Sequence, residues 1–115
     1  MDDQLVLCAL FNSYPANFLV RLRVSTHVSL AVMDALPVPR PHAGTRVYAG
    51  LLRCARVLAA DPAHLSAAAD MHALAARAYG LTDEEFAHVL SSFPRVPAEE
   101  RQHALKSPMW TARRD

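Results

Sequence analysis

The chain is poor in the residues that mark several specialised protein classes, with only three glycines, two cysteines and one lysine among 115 residues. Three glycines far apart cannot form a glycine-rich phosphate loop. No apolar run approaches the ~20 residues that span a bilayer, and Asp2-Asp3 is the wrong start for a signal peptide. These absences predict a cytoplasmic protein with no membrane partner.

The two cysteines, Cys8 and Cys54, lie in apolar stretches with helical periodicity. They are interpreted as small buried hydrophobic residues in a reducing compartment. A disulfide between them is left open as the less favoured alternative.

The charge is unevenly distributed along the chain. Eleven of the twelve basic residues are arginine, and Lys106 is the single lysine. Residues 1–60 hold six Arg and three Asp, a balance of +3, whereas residues 61–115 hold six basic and eight acidic groups, a balance of −2. An arginine-biased first half suits a phosphate backbone, because the guanidinium group binds phosphate oxygens in pairs.

Two helices are predicted at the N-terminus. The first ends near Asn12, and the second begins with Ser13 as its cap and Pro15 in its first turn. The apolar residues expected on the core face of the second helix are Phe18, Leu19 and Leu22.

A short strand is predicted next, over the apolar and β-branched stretch HVSLAV at residues 27–32. Prolines at 37, 39 and 41 end it. One strand cannot stand alone, because its backbone donors and acceptors need a partner.

The rest of the chain has helical periodicity. Val47, Leu51, Cys54 and Leu58 form one apolar stripe, and the arginines at 46, 53 and 56 lie off it. Asp61-Pro62 is expected to start the next helix, whose predicted packing side consists of Leu65, Met71, Leu74 and Ala78. Gly80 is expected just beyond its end, and Thr82 and Glu85 are expected to form a capping box, with Leu81 stapled onto Phe86.

The predicted fold class is therefore α+β and predominantly helical: two N-terminal helices, one or two short strands, then a three-helix C-terminal part. The predicted division is a helix–helix–strand part over residues 1–41, a helical part over 42–96 and a partly disordered tail over 97–115.

Catalytic and metal-binding signatures are missing from the sequence. The six histidines have no His-x-x-x-His spacing and are interpreted as solvated or partly buried imidazoles. Ser25, His27 and Asp34 supply the residue types of a hydrolase triad without the surrounding nucleophile elbow. The chain by itself is not expected to be an enzyme, to hold a metal or to bind a cofactor.

One polar cluster stands out, consisting of Arg21, Arg23, Ser25, Thr26 and His27 at the predicted helix-to-strand junction. It is rich in hydrogen-bond donors. One interpretation is structural: arginines at a helix C-terminus offset the helix dipole. The other is contact with phosphates and base edges, for which these side chains are useful donors.

Two stretches of the sequence resemble the C-terminal target-recognition segment of adenine-specific DNA methylases of the single-chain restriction–modification and phage-defence type. The first, within residues 5–41, has an apolar helix ending in Phe-Asn-Ser, a second helix, an Arg-rich turn, a Thr-His strand and a Leu-Pro-x-Pro stop. The second, residues 71–96, has the closing helix, the Tyr-Gly-Leu-Thr turn and the Glu-Glu-Phe helix.

The resemblance implies that the chain recognises double-stranded DNA. Arg21, Arg23, Ser25, Thr26 and His27 would lie near the DNA, with Arg40 and Arg46 contacting its backbone. The family's S-adenosylmethionine-binding module and its Asn-Pro-Pro-aromatic motif are not in this sequence. The resemblance thus implies a C-terminal fragment with no cofactor of its own, which partners a methyltransferase catalytic chain.

An alternative from a different class is a small helical protein–protein interaction module. It would assemble through the 47–58 stripe and the alanine-rich helix at 65–78. The simpler reading of these two stripes is that they pack on each other. A third and weaker alternative, an enzyme using His27, has one histidine near hydroxyl groups as its only support.

Overall fold

The computed structural model describes residues 2–23, 39–93 and 96–111, with side chains described from residue 2 to 20 in the first range. Over these residues the chain forms seven helices and no strand. The helices are α1 (Asp2–Phe11), α2 (Tyr14–Arg23), α3 (Arg46–Ala60), α4 (Leu65–Ala78), α5 (Asp83–Ser91), α6 (Ala98–Lys106) and α7 (Pro108–Thr111). None of these helices is long and apolar enough to cross a membrane.

The predicted α+β class is wrong. The regular elements of the described residues are all helices: three lie within residues 42–96, as predicted for that part, and two more, α6 and α7, follow it. The physical reason is that each apolar stripe in these residues finds another helix to pack against, so their core needs no sheet. The strand predicted at residues 27–32 lies outside the described residues.

The first of two core clusters lies among α1, α3 and α4. Leu10, Leu51, Cys54 and Leu74 are each at most 2% exposed and contact one another there. Val47 and Leu58 pack against this cluster at its edges. The apolar stripe predicted on α3 is therefore confirmed.

The second cluster joins α4 to α5, α6 and α7. Its buried members are Ala73, Ala76, Phe86, Leu90, Ala104 and Trp110. The rings of Phe86 and Trp110 lie with their centroids 4.6 Å apart, and the Trp110 indole N–H donates to Asp83 Oδ1 at 2.9 Å. Helices α6 and α7 thus occupy residues 98–106 and 108–111, and Trp110 fixes them to the core. The division at 1–41, 42–96 and 97–115 stays a prediction.

The junctions between helices follow local sequence signals. Ser13 precedes α2 and accepts the Ala16 N–H at 3.4 Å, as its predicted capping role requires. Gly80 has a φ of 72°, a conformation that favours glycine, and the Leu81 N–H reaches back to the Ala76 carbonyl at 3.0 Å. The capping box of Thr82 and Glu85 is present. These expectations are confirmed.

Three local predictions are wrong. Helix α4 begins at Leu65 rather than at Asp61-Pro62, because His64 caps it by accepting the Ala67 N–H at Nδ1. Leu65 itself is 57% exposed instead of buried. Cys8 is also exposed, whereas Cys54 is buried as expected, and both thiols are free. Burial raises the pKa of Cys54 to about 11, so this thiol stays protonated at neutral pH.

Helices α3 and α4 approach closely at Gly50. A Cβ added at Gly50 would lie 2.6 Å from Leu74 Cδ1, and Leu74 is buried. We expect Gly50→Ala to lower the free energy of unfolding by about 1–2 kcal/mol, because overpacking costs more than the gain in helix propensity.

Gly44→Ala is the matched control for Gly50→Ala. No atom lies within 4 Å of a Cβ added at Gly44, and its φ is not positive. Urea unfolding should show Gly44→Ala unchanged or more stable by up to about 1 kcal/mol. Equal stability of the two variants would contradict the close α3–α4 contact.

Candidate nucleic-acid interface

The residues predicted to contact DNA are only partly described. Ser25, Thr26 and His27 lie outside the described residues, and Arg21 and Arg23 lie in the last turn of α2, where the structure describes the backbone but not the side chains. Arg40 and Arg46 are both exposed. The structure therefore describes the side chains of two of the seven predicted residues, and their DNA contacts stay a prediction.

Arg46 is the first residue of α3, and a local hydrogen-bond network fixes where this helix begins. The Thr45 hydroxyl donates to the His42 carbonyl at 2.8 Å and accepts the Tyr48 N–H at 3.2 Å. The side chain of Thr45 thus satisfies one of the backbone donors that a helix leaves free at its N-terminus. Arg40 precedes this turn and lines a cleft with Asp3 and Tyr48.

Three arginines form a row on the outer face of α3. Arg46, Arg53 and Arg56 are separated by seven and three residues, so helical geometry brings them to one side of the helix. The side chains of Arg53 and Arg56 are 57% and 59% exposed. We call these three residues the arginine row. Only Arg46 was singled out for DNA contact from sequence.

Two acidic residues lie beside the arginine row. Arg56 binds Asp2 Oδ1 at 2.9 Å, and Arg53 lies 3.7 Å from Asp70 Oδ2. Asp70 also accepts a 2.7 Å hydrogen bond from the Ser107 hydroxyl. The Arg56–Asp2 pair is exposed on both sides, and such a pair contributes only about 0–1 kcal/mol, so an incoming anion displaces it at little cost.

Helix α1 is held against α3 by a second contact from its first turn. The Tyr48 hydroxyl donates to Asp3 Oδ1 at 2.6 Å. This hydrogen bond raises the pKa of Tyr48 to about 12, because it stabilises the protonated phenol next to a carboxylate. Asp2 and Asp3 therefore link α1 to both ends of the segment that carries the arginine row.

His72 is a buried residue whose role was not recognised from the sequence. Its Nδ1 accepts the backbone N–H of Tyr14 at 3.2 Å, and the two rings stack with centroids 3.7 Å apart. Tyr14 is the first residue of α2, so a side chain from α4 caps the start of α2. This contact fixes the helix whose last turn holds Arg21 and Arg23.

His72 must be neutral to accept this hydrogen bond. Burial lowers its pKa to about 4, since a charged imidazole would lose its hydration. His72 lies within an unbroken run of buried residues on α4, from Met71 to Ala76. In the sequence, the apolar residues at 71 and 73–76 on both sides of His72 indicate that position 72 is buried.

The described residues offer no group of three or more histidine, cysteine or acidic side chains able to hold a metal. His64, His72 and His103 line one cavity of about 270 Å³. However, Nδ1 of His64 and Nδ1 of His72 both already accept backbone N–H groups. Comparisons of the chain with family models, with curated proteins and with solved structures find no match.

The buried neutral state of His72 predicts a pH-dependent stability. Its pKa is about 4 in the folded chain, below the ordinary value of 6.5, so between these values the unfolded chain binds the proton more readily. Stability is therefore fully present above pH 6.5 and falls as the pH drops towards 4. The loss from this one group is about 3 kcal/mol.

Replacing His72 by asparagine tests this linkage, because the Asn carbonyl oxygen can still accept a hydrogen bond but does not titrate. Urea unfolding at several pH values should show a flatter pH dependence between 4 and 6.5 for His72→Asn than for the wild type. The same change at exposed His42 should leave the slope intact. An unchanged slope in His72→Asn would contradict the burial of a neutral imidazole.

Proposed function

We propose that this chain is the DNA-recognition fragment of an adenine-specific DNA methyltransferase of a restriction–modification or phage-defence system. It positions duplex DNA while methyl transfer takes place on another polypeptide. The observation that carries the proposal is the arginine row on the exposed face of α3.

The arginine row has the chemistry of a phosphate-binding surface. From Arg46 to Arg56 the helix rises about 15 Å, given 1.5 Å per residue, so the three guanidinium groups cover an extended strip. Guanidinium groups bind phosphate oxygens in pairs and release counterions as they do so. Contacts of this type position DNA without reading its sequence.

The local structure of residues 71–93 also supports the resemblance on which the proposal draws. The resemblance implied a closing helix, a Tyr-Gly-Leu-Thr turn and a Glu-Glu-Phe helix. The corresponding elements are α4, the turn with Gly80 at positive φ, and α5 with its capping box. Such turns are common in proteins, so this agreement adds less weight than the arginine row.

In this proposal the S-adenosylmethionine and the catalytic residues belong to a partner methyltransferase chain, and this chain needs no cofactor. Two free cysteines suit the reducing cytoplasm, where we place the protein. Base-specific contacts would come from the Arg21–His27 cluster, which lies at and beyond the end of α2.

The alternative of a helical interaction module requires a different surface from the one first considered. Leu51 and Cys54 of the 47–58 stripe contact Met71 and Leu74 of α4 within the same core cluster. These residues are at most 6% exposed. The packing of the two stripes on each other favours their structural interpretation.

DNA binding is tested by fluorescence anisotropy with a labelled duplex. We expect affinity that falls with salt between about 50 and 200 mM, because bound cations are released from DNA. Arg53→Ala and Arg56→Ala should each weaken binding and each flatten the log–log salt slope by about 0.9. Arg21→Ala combined with Arg23→Ala should weaken binding further, while the salt dependence that the arginine row supplies remains.

Lys106→Ala is the matched control, since it removes one exposed cation from α6 and not from α3. It should leave the affinity and the salt slope close to those of the wild type. Two results would refute the proposal: a chain that is folded by circular dichroism yet ignores DNA at low salt, or equal losses in Lys106→Ala and Arg53→Ala.

A further inference from the structure

An apolar groove runs between α2 and α5, with a volume of about 590 Å³. Its floor consists of Pro15 and Val89, which are buried. Its walls include Phe18, Leu19 and Leu81, which are only half-buried. Phe18 and Leu19 were expected to face the core, yet part of their apolar surface remains accessible in this groove.

The rim of the groove is acidic. Glu84 and Glu85, both exposed, stand along the α5 side, and His88 meets the Phe18 ring edge-on with centroids 5.9 Å apart. Glu85 Oε1 accepts the Thr82 N–H, whereas Glu84 forms no hydrogen bond or ion pair among the described residues. The described lining contains no lysine or arginine.

We propose that the groove binds an amphipathic helix of a partner polypeptide that carries lysine or arginine beside its apolar face. Apolar side chains spaced three and four residues apart would enter between Phe18 and Val89, as in other helix-in-groove complexes. The basic residues next to them would face Glu84 and Glu85. This complementarity of charge selects a basic helix over an acidic one.

A second copy of this chain is a poorer occupant. The strongly basic face among the described helices is that of α3, and the apolar face of α3 is buried in the first core cluster. Leu7 and Leu65 are the exposed large hydrophobic residues of the described chain, and they lie on different helices. The described helices therefore do not present an apolar stripe with a basic flank.

The inference does not depend on the arginine row. The groove is formed by α2 and α5, whereas the arginine row lies on α3, which packs against α1 and α4. Variants in the groove and variants in the row therefore separate the two activities. Loss of DNA binding in the row variants does not change the outcome expected for the groove.

The probe is a labelled synthetic helix with leucines at every third or fourth position and lysines beside them. A second peptide carries glutamates in place of the lysines. We expect the full chain to bind the lysine peptide in preference to the glutamate peptide, measured by fluorescence anisotropy. Glu84→Lys should weaken binding of the lysine peptide about five- to tenfold, because attraction at the rim becomes repulsion.

Glu99→Lys is the matched control. Glu84 and Glu99 are both exposed and both occupy the second position of their helices, α5 and α6, so the two changes alter helix-dipole energetics alike. Glu99→Lys should leave peptide binding unchanged. Phe18→Ala supplies a second test from the α2 side and should weaken both peptides.

Three results would overturn the proposal: no binding of either peptide, equal binding of both, or equal losses in Glu84→Lys and Glu99→Lys. Self-association in sedimentation that Glu84→Lys abolishes would also overturn it, because the occupant would then be a second copy. Thermal unfolding by circular dichroism checks that each variant remains folded.

Discussion

The fold depends on a single helix, α4, that is buried on two sides. Its residues from 71 to 76 are all buried; Leu74 and Ala75 face the cluster with α1 and α3, while Ala73 and Ala76 face the cluster with α5, α6 and α7. A helix that is apolar nearly all round is typical of a core position. Alanines on α4 and Gly50 on α3 allow the helices to pack closely. Because α4 contributes residues to both clusters, the two clusters share one central helix. His72 is buried on the same helix, and it holds the start of α2 by accepting the Tyr14 N–H.

Much of this arrangement could be predicted because it depends on local signals. The stripe on α3, the Ser13 cap, Gly80 and the capping box at Thr82 all follow from side-chain spacing and backbone chemistry within one or two turns. The failures concern which surfaces meet across the chain. Leu65 and Cys8 have the right periodicity but remain exposed, because periodicity alone does not identify the surfaces that meet. The α+β class is wrong because the apolar stripes of the described residues pack helix against helix and leave no face that needs a sheet.

The candidate interface could also be predicted only in part, because local sequence signals do not show which side chains the fold brings together. Five of the seven predicted DNA-contact residues belong to the polar cluster at 21–27, and three of these five lie outside the described residues. Arg53 and Arg56 were noted only as lying off the apolar stripe, although their spacing from Arg46 already puts all three on one side of α3. The groove could not be anticipated, since it exists only because α2 and α5, far apart in sequence, leave space between them. The role of His72 likewise needs the three-dimensional approach of Tyr14.

The uneven distribution of charge along the sequence corresponds to two separate charged surfaces in the fold. The basic excess of the first half includes the arginine row on α3, and the acidic excess of the second half includes the rim on α5. Phosphates are attracted to the first surface and repelled by the second, whereas a basic helix experiences the reverse. If both proposed partners bind at once, the arginine row on α3 attracts the DNA and the carboxylates on α5 attract the basic helix. A basic partner helix that reached α3 would meet like charge, and DNA that reached the groove would meet two carboxylates. The two proposed binding surfaces thus carry opposite charge, and each disfavours the partner proposed for the other.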